Sequence, residues 1–318
     1  MTAVPQHPLL APWYRLVEDD ERLLLEHGQA LVVLEGAAVK SFLPALLPLL
    51  DGTRTCEELV QRLGVAARPA VDLALETLAS HGLLVEGPEV AVGVRAAAHG
   101  VASAFDLAPA LVAKRIADAS VVVVGSSSAG GEIARFLHAS GVGVVSRGGW
   151  EGSNRVDLAV VAPGVHEAAE LDAWNRAANE RTTRWLPVLP YDGRFAAVGP
   201  LIVPGESCCY ECVVRRRGAN LEYGDQLRQI ERAPLAARAD PPFEALVAAV
   251  AAHLALRWIG GNDRSLPGVL HTVEARPALA LGEHPVLRVP RCPVCSPVER
   301  LAAPLPWHAP ALSAEVAA

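Results

Sequence analysis

Ser120-Val-Val-Val-Val124-Gly125-Ser-Ser-Ser-Ala-Gly130-Gly131 is the stretch that decides the fold. Four consecutive valines without polar alternation predict a strand buried on both faces. The Gly/Ser run predicts a loop, and Glu132–Ser140 predicts a helix behind it. The same grammar continues downstream. Val142–Val145, Val156–Val161, Arg184–Leu189 and Ala196–Val203 read as strands, Glu167–Glu180 as a helix, and about Pro242–Trp258 as a long apolar helix. Strands alternating with helices imply an α/β class with an open, mainly parallel, Rossmann-like sheet.

In such folds a glycine-rich turn after the first strand cradles phosphate, because backbone amides and the helix N-terminus converge there. Here Gly125 and Gly130 supply the first and last glycines of G-x-G-x-x-G, while Ser127 replaces the middle one. The second strand reads Val144-Val-Ser-Arg147-Gly-Gly149, without the carboxylate that would hold a ribose. Only about ten residues separate it from Val156. The reading is a structural relic of a phosphate loop, with no nucleotide expected. Ser126, Ser127 and Ser128 do not match the G-x-S-x-G elbow and read as loop serines. No catalytic residue stands out. His253 reads as a core histidine, and His271 and His284 show no partner in sequence.

Cys209-Tyr-Glu-Cys212 and Cys292-Pro-Val-Cys295 are two Cys-x-x-Cys knuckles. Each aims two thiolates at one point, and two pairs complete the tetrahedral set of structural Zn²⁺. Cys209, Cys212, Cys292 and Cys295 are the expected ligands, Cys208 a spare, and Cys56 a buried thiol. The alternative is two cysteine-rich turns that stay reduced or form disulfides. A closed tetrathiolate staples a fold and leaves no position for chemistry. Arg215-Arg216-Arg217 after the first knuckle reads as a solvated face, with an acidic peptide or partner protein as the sharper reading.

The amino-terminal part, residues 7–87, reads differently. Short strands are predicted at Trp13–Val17, Arg22–Glu26 and Ala30–Leu34. A helix at Val39–Leu47, bent at Pro44, follows. Thr55 and Glu58 form a capping box opening a helix to Leu63. A third helix starts at Pro69, with Val71, Ala74, Leu75 and Leu78 on its apolar face, and ends at Gly82 before a short strand at Leu83–Val85. This is a winged-helix-like α+β unit. Residues 88–119 read as a connector with a helix near Ala108–Ile116, residues 120–300 as the sheet domain, and residues 301–318 as a flexible tail.

Composition narrows the function classes. A net charge of −7 argues against nucleic-acid binding. No basic-then-apolar N-terminal segment suggests export, and stretches such as Ala245–Leu256 are short for a membrane span. Cysteines in metal spacing fit a reducing bacterial cytoplasm.

The run Leu186-Pro-Val-Leu189, Gly199-Pro-Leu-Ile-Val-Pro-Gly205 and Cys209-Tyr-Glu-Cys212, closed by Pro290-Arg-Cys292-Pro-Val-Cys295, resembles the ThiF/MoeB-like activating enzymes. More narrowly it resembles their Ocin-ThiF-like, or C-protein, branch. The amino-terminal Leu49-Leu-Asp-Gly-Thr-Arg-Thr55 with Glu58-Leu59 resembles the PqqD-like recognition element of ribosomally synthesised and post-translationally modified peptides (RiPPs). Together the resemblances cover about four-fifths of the chain. They imply a non-catalytic subunit that holds a precursor-peptide leader for a YcaO cyclodehydratase in thiazole/oxazole, including thiopeptide, biosynthesis. Homodimers through the sheet domain are common among such relatives. The departures from the catalytic members are the absent ribose-binding acid and the missing segment that carries their adenylating arginine.

In recognition elements the leader adds a strand beside the third strand and packs on the third helix. Transferred here, the resemblance implies peptide contacts at Val32, Val33 and Leu34 on the strand and Arg68, Asp72, Leu75 and Glu76 around the helix. The apolar members could equally serve core packing. Competing functions are an active adenylating enzyme of ThiF/MoeB type and a DNA-binding regulator with a metal-sensing domain; the acidic Asp72 and Glu76 on the third helix weigh against the second.

Overall fold

The computed structural model describes residues 3–19, 22–151, 156–224, 226, 229, 233 and 238–297. The expected tail, 301–318, lies outside them. The chain divides into two compact units: residues 1–121, 132–146 and 252–264 form one, and residues 122–131, 147–251 and 265–318 the other.

The first unit begins with β1 (Pro8–Leu10), followed by a three-stranded antiparallel sheet of β2 (Arg15–Glu18), β3 (Arg22–His27) and β4 (Ala30–Glu35) in that order. A two-residue loop, Gly28-Gln29, joins β3 to β4, and Gly28 takes the positive φ of 62° that this tight turn requires. Leu23 and Leu25 alternate inward and are fully buried. The helix expected over Val39–Leu47 breaks into α1 (Ala37–Ser41), α2 (Leu43–Leu46) and a 3₁₀ turn (Leu47–Leu49), with Pro44 and Pro48 each near the start of a piece. Helix α3 (Cys56–Leu63) starts at the expected capping box: the Thr55 amide donates to Glu58 Oε2 at 2.8 Å, and the Glu58 amide donates to Thr55 Oγ1 at 3.3 Å. Helix α4 (Arg68–Ser80) buries Val71, Leu75, Leu78 and Ala79 against the core formed by Leu23, Leu25, Leu46 and Leu59. β5 (Leu84–Glu86) closes the module on β1, a pairing the sequence pattern does not reveal.

Residues 88–119 are more structured than a connector with one helix. They form α5 (Val92–Phe105) and α6 (Pro109–Asp118), separated by Asp106 in the left-handed region at φ 51°. The alanine-rich composition hides α5 because small residues carry helical packing without a bulky apolar stripe: Ala98, Val101 and Ala102 are its buried positions.

A seven-stranded sheet runs in the order β12-β11-β10-β9-β8-β6-β7. β6 (Ser120–Val124), α7 (Ser128–Ala139), β7 (Val144–Gly148), β8 (Leu158–Val161), α8 (Ala168–Glu180) and β9 (Trp185–Leu189) are the helix-crossover half, in which β8 and β9 pair in parallel. β10 (Phe195–Val198), β11 (Val269–Glu274) and β12 (Ala280–Pro285) continue as an antiparallel meander. Val121–Val124 and Leu158–Val161 are fully buried, as uninterrupted apolar strands require. Helix α9 (Tyr210–Ala219) follows the first knuckle, and α10 (Pro241–Gly261) is the long apolar helix. α10 reaches the length and hydropathy of a membrane span, but 56% of its most apolar window is buried within the protein. His253 lies on its exposed face and is not the core histidine expected, since the buried faces of α10 are filled by Ala251, Ala252, Leu254 and Ala255 around it.

Candidate functional site

The margin of β4, the cysteine cluster and the glycine-rich loop after β6 each carry chemistry-bearing or ligand-sized features.

β4 pairs only with β3 among the described residues, so its other edge is open. In a two-residue hairpin the closing pair, His27 and Ala30, is hydrogen-bonded. Counting outward, Ala30, Val32 and Leu34 direct their backbone groups at β3, while Leu31, Val33 and Glu35 direct theirs at the open edge. Beside that edge runs an apolar groove of about 640 Å³. Val33 and Leu34 form one wall, Val39 and Phe42 the second, and Ala70, Leu73, Ala74 and Thr77 of α4 the third. Leu31 and Val33 are 59% and 42% exposed, and Leu73 is 66% exposed.

The seven residues expected to bind peptide divide here. Val33 and Leu34 line the groove. Val32 packs inward against the core, and Leu75 is itself core, 2% exposed. Arg68 turns away to pair with Glu57 of α3. Asp72 and Glu76 are exposed on another face of α4 and do not line the groove. The helical stripe that does face it is the set 70, 73, 74, 77, one step around from the residues chosen by sequence. The signal available in the sequence was Leu73, an apolar residue outside the core-facing period.

The four knuckle cysteines converge. Their Sγ atoms all lie within 4.8 Å of one another, with Cys209–Cys292 and Cys212–Cys295 at 3.6 Å and Cys209–Cys212 at 3.8 Å. A tetrahedron with Zn–S bonds of about 2.3 Å has edges of about 3.8 Å, so these thiols fit a zinc ion and are far too distant for disulfides. Local structure explains the convergence. Cys209 is the N-cap of α9, so Cys209 and Cys212 sit together on its first turn. The Val289 amide donates to Cys212 Sγ at 3.4 Å. Arg288 donates to the Gly205, Cys295 and Ser296 oxygens, tying the second knuckle to the first. Hydrogen bonds from Cys209 and Cys212 hold the Cys295 thiol well below its ordinary range. Cys208, the expected spare, stands outside the set; burial pushes its thiol up to about 12, which keeps it protonated. Cys56 is half-buried and its thiol bonds to the Pro5 carbonyl.

The arginine run is mostly engaged within the protein. Arg215 pairs with Glu211, Arg216 donates to the carbonyls of Leu287 and Arg288, and Arg217 sits over Phe195. His284 contacts Thr272, and His271 lies 3.7 Å from Glu283.

Three amides of the loop after β6 bond within the protein. Ser126 donates to Glu167 Oε2 at 2.9 Å, Ser127 to the Ala162 carbonyl at 3.3 Å, and Gly130 to the Ser127 carbonyl at 3.1 Å. The Gly164 amide also donates to Glu167, at 2.7 Å. Burial pushes the Glu167 carboxyl up, but the bonds from Gly164, Ser126 and Trp150 outweigh it and hold the group below its ordinary range. Glu167 is therefore an internal anion held between the Ser126 and Gly164 amides. Arg147 crosses over the loop: its guanidinium donates to the Gly125 carbonyl at 2.7 Å and covers Gly130. Glu244 adds a second carboxylate, bonded to Ser128. The remaining cavity at the strand ends is only about 100 Å³, lined by Ser127, Pro163, Val188, Tyr191 and Phe243 among others. Pockets for drug-sized ligands run to roughly 300–1,000 Å³.

No family model matches the chain, and no curated protein matches it. Solved structures do. The heterocyclase TruD superposes with a TM-score of 0.72 at 25% identity, over 92% of this chain and 43% of TruD. A heterocyclase in complex with substrate and cofactor gives 0.70 at 26%, over 91% of this chain and 39% of that one. The chain thus spans about two-fifths of the length of these heterocyclases. MccB from E. coli, bound to AMPCPP and MccA, gives 0.63 at 15%, over 91% of this chain and 99% of MccB, a likeness of fold alone.

Proposed function

We propose that this chain is a peptide-binding component of RiPP biosynthesis. It holds the leader of a ribosomally made precursor along β4 and presents the core to a YcaO-type, azoline-forming cyclodehydratase of thiazole/oxazole peptides. The observation that carries the reading is the open β4 edge beside an apolar groove. An extended peptide gains main-chain bonds from Leu31, Val33 and Glu35, and alternate side chains enter the groove. The likeness to two heterocyclases over nine-tenths of the chain supports the biosynthetic setting. In this reading residues 7–87 are the winged-helix-like recognition element, and residues 88–119 join it to the sheet domain of 120–300.

Cys209, Cys212, Cys292 and Cys295 would hold a structural zinc, which supplies cross-linking between two distant segments and no catalysis. Reduced thiols in this arrangement suit the cytoplasm. The sheet domain acts as a scaffold: its phosphate loop is occupied by Glu167 and Arg147, and its carboxylates repel a triphosphate.

The test uses the full chain and the precursor peptide encoded nearest its gene, followed by fluorescence anisotropy. Val33→Pro removes an amide that faces the open edge and leaves the β3 ladder intact, so the fold is kept. One lost hydrogen bond plus imperfect strand docking should weaken binding about tenfold. Unchanged affinity would refute strand addition at β4. A second reading, an adenylating enzyme, draws on the fold shared with MccB. It requires peptide-dependent pyrophosphate release by this chain alone.

A further inference from the structure

We propose that the small cavity at the strand ends of the sheet unit binds a free α-amino acid with a branched aliphatic side chain, of which leucine is the type. In open α/β sheets, ligands settle outside the carboxyl ends of the strands. This cavity lies there: Ser127 follows β6, Pro163 follows β8, and Leu189 ends β9. Its volume of about 100 Å³ is below the roughly 150 Å³ that takes a benzene ring, and suits a smaller branched alkyl group. Val165, Val188, Pro190, Ala196, Phe243 and Val247 supply apolar walls for such a group. The walls are firm. Val188, Ala196 and Val247 are buried, and Phe243 packs edge-on against Tyr191 with ring centroids 5.2 Å apart.

The polar groups on the same cavity divide into two kinds. Ser127 Oγ accepts the Gly130 amide at 3.2 Å, the Tyr191 hydroxyl donates to the Gly193 carbonyl at 2.6 Å, and Ser128 donates to Glu244. The serine and tyrosine hydroxyls are thus engaged within the chain. Arg238 is not: it is exposed and, among the described residues, makes no hydrogen bond or ion pair. Glu244 meets Ser128 through Oε2, and its Oε1 makes no bond among the described residues. A cation and an anion therefore line one small apolar space without pairing with each other. Opposite charges in such a space attract strongly, so a pair left unjoined marks room for a group between them. An amino acid carries both complements. Its carboxylate meets the Arg238 guanidinium, its ammonium meets Glu244 Oε1, and its side chain enters the apolar space. A simple carboxylate would face Glu244 unscreened, and a simple amine would leave Arg238 without a partner.

The experiment is a saturation-transfer NMR titration of the full chain with free L-leucine. Saturable binding with a dissociation constant of order 1 mM is expected for so small a ligand. L-Alanine, which leaves the apolar space unfilled, should bind at least about tenfold more weakly. Isocaproate and isoamylamine, each lacking one of leucine's charges, should also bind about tenfold more weakly. Arg238→Gln should weaken leucine about tenfold and leave isoamylamine unchanged, since that probe has no carboxylate. The side chain is exposed and without partners among the described residues, so the fold is kept. Phe243→Ala enlarges the cavity and should move the preference from leucine to phenylalanine, a gain that a damaged fold cannot give. If that variant unfolds, Arg238→Gln decides alone. No saturation by leucine up to about 20 mM overturns the site. So does equal affinity for alanine and leucine, or an unchanged leucine affinity in Arg238→Gln.

Discussion

The margin of β4 and the loop after β6 are both places where backbone could bond to something outside the chain, and the chain treats them oppositely. At β4, the backbone groups of Leu31, Val33 and Glu35 face an open edge beside apolar room. After β6, the amides of Ser126, Ser127 and Gly130 bond to Glu167, Ala162 and Ser127, and Arg147 lies across the top. The contrast separates two kinds of recognition. An extended chain needs unspent backbone and a wall for alternate side chains. A phosphate needs free amides and a positive field. At β4 the outward backbone groups face an open edge, and in the loop one amide bonds to a carboxylate and two to carbonyls of the chain itself.

The cysteine cluster sets the background for that contrast, because in the proposed reading a metal held there fixes the sheet unit. Cys212→Ser should have the largest effect. It removes one of four convergent ligands and also the acceptor of the Val289 amide. Purified protein should lose its single zinc by elemental analysis. Thermal unfolding should fall by roughly 10 °C or more, as the loss of several kcal/mol implies in a unit of this size. Retained zinc, or an unmoved transition, breaks the assignment of a structural metal.

Next in size is a pair of glycines in the loop after β6. Gly125 has φ 100°, and a Cβ there would sit 2.2 Å from the Ala162 carbonyl oxygen, a backbone atom that cannot step aside. Gly130 would bring its Cβ within 2.4 Å of the Arg147 guanidinium, the end of a flexible side chain. Gly125→Ala should cost about 3 kcal/mol, and Gly130→Ala about 1 kcal/mol or less, in urea unfolding. Equal costs would mean that Arg147 is as rigid a lid on the loop as the backbone beneath it.

How much of this contrast the sequence carries depends on the kind of signal. The four valines of β6 declare a doubly buried strand, and the capping box of α3 appears at the residues that spell it. The cysteine set is legible because spacing and ligand chemistry coincide. The groove is half legible: Val33 and Leu34 follow from the edge strand, but the α4 face does not, since a single leucine outside the core period of Val71, Leu75 and Leu78 is ordinary on a helix and by itself points to no ligand. Glu167 is illegible for a different reason. It lies 41 positions from Ser126, and no local pattern reports that one carboxylate closes a distant loop. The β1–β5 pair is equally non-local, with Leu9 opposite Val85.

The groove face can be tested against the sequence-chosen face directly. Leu73→Glu places a carboxylate on the wall that a bound side chain would cover. Leaving that charge unpaired on binding should cost roughly 2.7 kcal/mol, or about a hundredfold in affinity. Leu73 is already exposed, so stability should hardly move. Glu76→Gln, on the other face, should leave affinity within about twofold, because rim charges contribute little. The reverse ranking would move the binding face back to Asp72 and Glu76.

The smallest effect concerns the pH response of the loop after β6. Glu167 is held below its ordinary 4.5 by bonds that favour its ionised form against the opposing effect of burial. A group whose folded pKa is lowered stabilises the fold above its unfolded pKa, and that contribution fades as pH falls through the folded value. Glu167→Gln keeps the shape and removes the titration. Its urea midpoint should therefore lie below that of the parent at neutral pH, and the gap should narrow as the solution is acidified below 4.5. The same variant separates two accounts of why the loop is closed. If the carboxylate closes it by charge, the neutral amide also weakens exclusion of phosphate, and millimolar inorganic phosphate should begin to stabilise the variant but not the parent. If shape and the crossing of Arg147 suffice, phosphate leaves both unchanged, and closure belongs to the backbone rather than to the acid.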